Sequence, residues 1–211
     1  MDLTTLARVK RFAGYTNPDA ANDDDTLISQ IITGVSRQIE SYLDRYAEAV
    51  ARTVYFDCEN VQRHFYLKAF PVSAVTTFKN DILRTFAAGT ELDTGVYAVY
   101  GSVGRITVDR YELQGGARAV QVVYTGGMAA TVTALVADAS YADLVLAATM
   151  QVHYTLKWRG KVGLSGISTQ SGNAQFDKFR GQGEEVTDII PEVKGLLERY
   201  RRVSFGEEES T

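Results

Sequence analysis

The chain has 211 residues, 22 of them basic and 26 acidic, for a net charge of −4, and 45% are hydrophobic. This is enough apolar material for a sizeable core and too much for a wholly disordered chain, and it has no global basic footprint of a dedicated nucleic-acid binder. One cysteine, Cys58, excludes an internal disulfide framework and a cysteine-based zinc centre, and two histidines leave little material for any metal centre. Residues 1–4 show no basic-then-apolar leader and no run reaches about 18 apolar residues, so the expectation is a cytosolic chain with no membrane span.

In chain order, Leu3, Leu6, Val9 and Phe12 recur at the spacing of one face of a short helix, which Gly14 ends. Asp23, Asp24 and Asp25 then sit where carboxylates cap a helix and oppose its dipole. Leu27, Ile28, Ile31, Ile32, Val35, Ile39, Tyr42, Leu43 and Tyr46 trace a helical stripe. A helix over 25–50 would span roughly 40 Å. Gly34 within it costs about 1 kcal/mol against alanine, which a closely packed neighbouring backbone would explain.

From Thr53 the period becomes that of strands, rich in β-branched and aromatic residues at 53–58, 62–67, 72–78, 96–100, 104–108 and 119–125. Pro71 opens the third of these, because proline lacks the N–H of a ladder position. Residues 101–104 and 114–116 read as turns. Short connections without helices make the sheet antiparallel. Helical spacing returns at Ala142, Val145, Leu146, Thr149, Met150, His153, Tyr154 and Lys157. The glycine-bearing stretch 160–183 reads as a long loop. A last short helix has Pro191 in its first turn, then Val193, Leu196, Leu197 and Tyr200, with Arg199, Arg201 and Arg202 at its C-terminal end.

The fold class is therefore α+β. A helical body at 1–52 and 140–158 holds an inserted antiparallel β region at 53–127. A glycine-rich loop at 159–188 and a C-terminal helix with an acidic tail at 189–211 follow.

Motifs for chemistry fail one by one. Gly160-Lys161 has Thr155 where a phosphate-binding loop needs glycine, and Val162 where it needs Ser or Thr. Residues 163–167 miss the second glycine of a nucleophile elbow. No register around 19–25 supplies both the glycine and the glutamate of an EF-hand, so the aspartates read as a helix cap. His64 and His153 stand alone and read as packed or surface residues. Cys58 alternates with Phe56 and Val54, as a small core residue does. No catalytic, cofactor or metal residue emerges. Lys157, Arg159 and Lys161 form a local basic patch, either merely solvated or a contact for a neighbour's carboxylates.

The order of pieces carries more. A short helix with Leu3, Leu6, Ala7, Val9 and Lys10 precedes the acidic Asp23-Asp24-Asp25 and a long helix ending Ile39-Glu40-Ser41-Tyr42-Leu43-Asp44-Arg45. A strand ending Phe70-Pro71-Val72, the Gly104-Arg105-Ile106 hairpin, the run Val120 to Met128 with its Gly126-Gly127 pair, and a helix beginning near Ala142-Asp143-Leu144 follow. The chain closes with Ile190-Pro191-Glu192-Val193 through Arg202. This series resembles the head–tail connector (adaptor, or head-completion) family of tailed bacteriophages and related gene-transfer particles, over nearly the whole chain. The resemblance implies a non-enzymatic virion protein, made in the host cytoplasm. It would form a homo-oligomeric ring, typically of twelve subunits, below the portal protein. The ring would extend a channel through which DNA passes without specific binding, and would receive the stopper or tail-completion protein.

Two rivals belong to other classes. A stopper or tail terminator would be mostly β and lack the long N-terminal helix, and a small-molecule enzyme would use 160–183 as a lid. For the last helix the resemblance favours docking on the portal over a second placement on its own body. As a portal-docking arm it would offer Ile189, Ile190, Pro191, Val193, Leu196, Leu197, Tyr200, Arg201 and Arg202; otherwise it folds back onto its own helical body.

Overall fold

A computed structural model of the protein describes residues 1–59, 62–109, 111–158 and 189–202, with the backbone of Gly166–Thr169 and Gly172–Gln175. The chain divides into two compact units, one of residues 2–42 with 138–200 and one of 43–137 with Met1 and the residues from Arg201 on. Helices and antiparallel sheets make it α+β, as the sequence predicts.

The helical unit is built from α1 (Leu6–Phe12), most of α2 (Asp25–Leu43), α4 (Ala142–Trp158) and α5 (Pro191–Leu197). Thr5 caps α1 by accepting the Arg8 N–H at 3.4 Å. The predicted stripe of α2 is its buried side, where Ile28, Ile32, Val35 and Ile39 join Leu3, Val9, Leu144, Val145, Ala148 and Val152 in the core. Two buried hydroxyl contacts cross it. The Leu3 N–H donates to Ser36 Oγ at 2.9 Å, and Thr4 and Thr149 share a hydrogen bond of 2.8 Å. Gly34 meets open space, with nothing within 4 Å of where a Cβ would stand, so no packed backbone accounts for it.

The predicted helix over 25–50 stops early. Asp44 turns to a left-handed φ of 48°, and the chain enters β1 (Val50–Cys58) before Thr53. The β unit then follows the predicted order, with β2 (His64–Tyr66), β3 (Val72–Asn80), β4 (Tyr97–Tyr100), β5 (Arg105–Val108) and β6 (Gly116–Gly126). They form two three-stranded antiparallel sheets, ordered β1-β6-β3 and β2-β5-β4. Val122 of the central β6 pairs with Val54 on one side and Phe78 on the other. The sheets enclose Phe65, Phe78, Ile106, Val120, Val122 and Tyr124, all buried. Phe78 sets its ring edge-on to Phe65 at 5.7 Å and to Tyr97 at 5.0 Å. The Tyr124 hydroxyl accepts the Ala69 N–H at 3.2 Å, which satisfies both groups inside the core.

A short helix that periodicity did not reveal, α3 (Val132–Ala137), closes this unit. Thr131 Oγ1 accepts the Ala134 N–H at 3.2 Å at its start. Within the stretch read as a long loop, β7 (Gly166–Thr169) and β8 (Gly172–Gln175) pair as an antiparallel hairpin.

Candidate interaction surfaces

Residues 189–202 are tied to the chain itself. Pro191 at the first turn presets the backbone of α5, whose helical spacing turns Val193 and Leu197 to one side. That side packs on α4, and Ile189, Val193, Leu197 and Tyr200 are buried. Polar contacts fix the ends. The Ile190 N–H donates to Gln151 Oε1 at 3.1 Å, the Tyr200 hydroxyl donates to the Ser140 carbonyl at 2.9 Å, and Arg199 pairs with Asp143 at 2.9 Å. Of the two placements open to the sequence, the structure has the fold-back. An isolated helix of this length is marginal in water, so its apolar face goes to the nearest apolar surface, which is α4. Pro191 and Arg201 are exposed, and Ile190, Leu196 and Arg202 are half-buried.

Arg202 belongs to the β unit by its contacts. Its N–H donates to the Leu43 carbonyl at 3.0 Å and its guanidinium meets Asp44 at 3.0 Å. Asp44 also pairs with Lys68 at 2.5 Å, and this bond, ahead of Arg202, holds the Asp44 carboxyl below its ordinary value. Lys157 is exposed in the last turn of α4, while Arg159 and Lys161 lie outside the described residues.

Single residues that could carry chemistry are absorbed by packing. His64 on β2 shares a 3.1 Å hydrogen bond with Thr107 across the ladder, and His153 sets its ring against Phe12 at 5.4 Å. Cys58 is buried, and burial pushes its thiol upward, away from the thiolate. The Asp25 carboxylate, expected to cap α2, turns back to accept the Asn22 N–H at 3.0 Å and to pair with buried Lys10. Among the described residues no group of three His, Cys, Asp or Glu could hold a metal ion, and no helix is long and apolar enough to cross a membrane.

What the sequence reading missed is a loop. Asp81 follows β3, is itself buried, and gathers four hydrogen bonds from the next five residues. The donors are the N–H groups of Leu83, Thr85 and Phe86, each at 2.8 Å, and the Thr85 hydroxyl at 2.6 Å. The Thr85 hydroxyl bond leads in holding this carboxyl below its ordinary value. Arg84 and Phe86 take left-handed φ values of 60° and 47°, and the Phe86 carbonyl receives Lys79 Nζ at 2.8 Å. The result is a braced loop with Ile82 and Leu83 in solvent. An aspartate with a threonine four residues on was its one sequence signal.

The family model for the head completion protein matches residues 2–203. The chain belongs to the head completion protein family. The fold agrees with chains of solved gene transfer agent particles. Across 98% of this chain and 97% of the other, it superposes at a TM-score of 0.57 and 16% identity on a protein in the neck of the empty gene transfer agent particle, computed with C6 symmetry. A chain in the neck of the native particle, computed with C12 symmetry, and one in the virion of that particle each give 0.56 at 14% identity over the same shares. No curated protein matches this head completion chain by sequence.

Proposed function

We propose that this head completion protein is a non-enzymatic subunit of a neck ring in a phage-like virion. It would sit between the portal and a stopper or tail-completion protein and act by shape and oligomeric contact. The observation that carries the reading is the family match along 2–203, which takes in both units and the last helix. The likeness to proteins in necks with six- and twelve-fold symmetry supports a cyclic assembly, in keeping with the ring of twelve that the connector resemblance implies.

In this reading the channel wall does not grip DNA. Each phosphate neutralised by a fixed cation would add attraction that hinders passage, and an acidic excess avoids it. Lys157, Arg159 and Lys161 would meet carboxylates of a neighbouring subunit. For the portal, the reading relies on Ile190, Pro191, Leu196, Arg201 and Arg202, while Ile189, Val193, Leu197 and Tyr200 anchor this segment from within. Electron microscopy of the purified full chain mixed with its portal tests the reading. A ring on the portal is the expected result, and a portal left bare at saturating protein would overturn it.

A further inference from the structure

The strands of the β unit end in two unlike apolar surfaces. At one end stands the braced loop, where Leu83 is 78% and Ile82 52% exposed. At the other are Val103 at 52% and Tyr100 at 45%, with Val50 also exposed. The register places these groups at opposite ends. Asn80, just before the loop, pairs with Val120, whereas Val50 and Val72 both pair with Gly126. Gly101, next to Tyr100, lies against Val72, since a Cβ there would stand 2.6 Å from the Val72 carbonyl oxygen. Six residues of β6 separate the two levels, about 20 Å at the rise of a strand.

We propose that the Asp81-braced loop of one copy inserts Ile82 and Leu83 into the Val50, Tyr100 and Val103 end of a second copy. This inference rests on the neck-ring reading and names the contact that would build the ring. A two-fold contact that pairs one of these ends with itself leaves the other bare in every dimer. Two complementary patches at opposite ends of one unit suit a head-to-tail contact, the kind that closes into a ring. The brace supports the same role. A loop ordered before contact loses little conformational freedom on docking, and Asp81 holds the two apolar side chains out of the unit's own core. Arg84, exposed beside them, gives the plug a charged rim.

The test is sedimentation of the full chain over a concentration series, with Leu83→Asp and Val103→Asp, each checked for unchanged thermal unfolding. Either substitution weakens self-association about tenfold or more, as expected for a central anchor. Mixing the two variants is decisive. A loop intact on one and a receiving end intact on the other permit a single contact, so the mixture forms dimers and nothing longer. Wild-type-like association of both variants overturns the inference alone, and so does a mixture that stays monomeric or grows long chains. A wild-type chain that associates at no concentration and forms no ring on the portal overturns the inference and the neck reading together.

Discussion

Lys10 Nζ stands 3.0 Å from Asp25 Oδ1, with the lysine almost wholly out of solvent. Lys10 also donates to the Ala20 carbonyl, so one ammonium ties α1 to the approach and first turn of α2. The Lys10 hydrogen bond is foremost in holding the Asp25 carboxyl below its ordinary value. A carboxyl depressed in the folded state stabilises fully above its unfolded value, about 3.9, and ceases to do so as pH falls through the folded one. Asp25→Asn therefore lowers the melting temperature at pH 7, and the gap to wild type closes below about pH 4. Replacing both partners, as Lys10→Met with Asp25→Leu, recovers much of the loss because no buried charge is stranded. A gap that stays constant down to acid would refute the pairing.

Leu197 and Val193 hold α5 on α4. Leu197→Ala should cost about 2–5 kcal/mol by denaturant titration, the range for emptying a buried leucine site. Deleting 189–211 should unfold the helical unit rather than merely free it of an appendage. A truncated chain with unchanged helix content and stability would show that α5 is a detachable arm.

Gly127 has a φ of 137° and abuts the Glu48 carbonyl, while Gly34 meets nothing. Gly127→Ala should destabilise by about 1–3 kcal/mol or more, from backbone strain plus overlap. Gly34→Ala, on an exposed helix surface, should stabilise by up to about 1 kcal/mol. Equal effects of the two in thermal unfolding would contradict these positions.

Asp81→Ala removes the shared acceptor of three backbone N–H groups. The amides of Leu83, Thr85 and Phe86 should exchange about tenfold faster or more, while β6 amides keep their protection. Protection unchanged at all three would show that the loop does not depend on its brace.

The purified chain should not bind duplex DNA tightly at physiological salt, and what binding exists should show a shallow salt dependence. Fluorescence anisotropy measures both. A steep slope with tight binding would place a phosphate-gripping surface on the chain.

What the sequence by itself determined was local. The alternation at 53–58 and 119–125 and the stripe through Ile28, Ile32, Val35 and Ile39 each need only neighbours a few residues apart, and both appear in the structure as written. The order of those elements also carried the family. Tertiary structure decided everything that depends on distant partners. The long helix ends at Leu43 because Asp44 is held left-handed between Lys68 and Arg202, 24 and 158 residues away. The apolar face of 190–200 suits a partner, the placement the family resemblance favours, or its own body, and in the structure Val193 and Leu197 lie buried where α5 packs on α4. Lys10 reads as a solvated helix end until Asp25 and the Ala20 carbonyl close over it. Periodicity reports which side chains avoid water; which surface covers them is set by the packing of the whole chain.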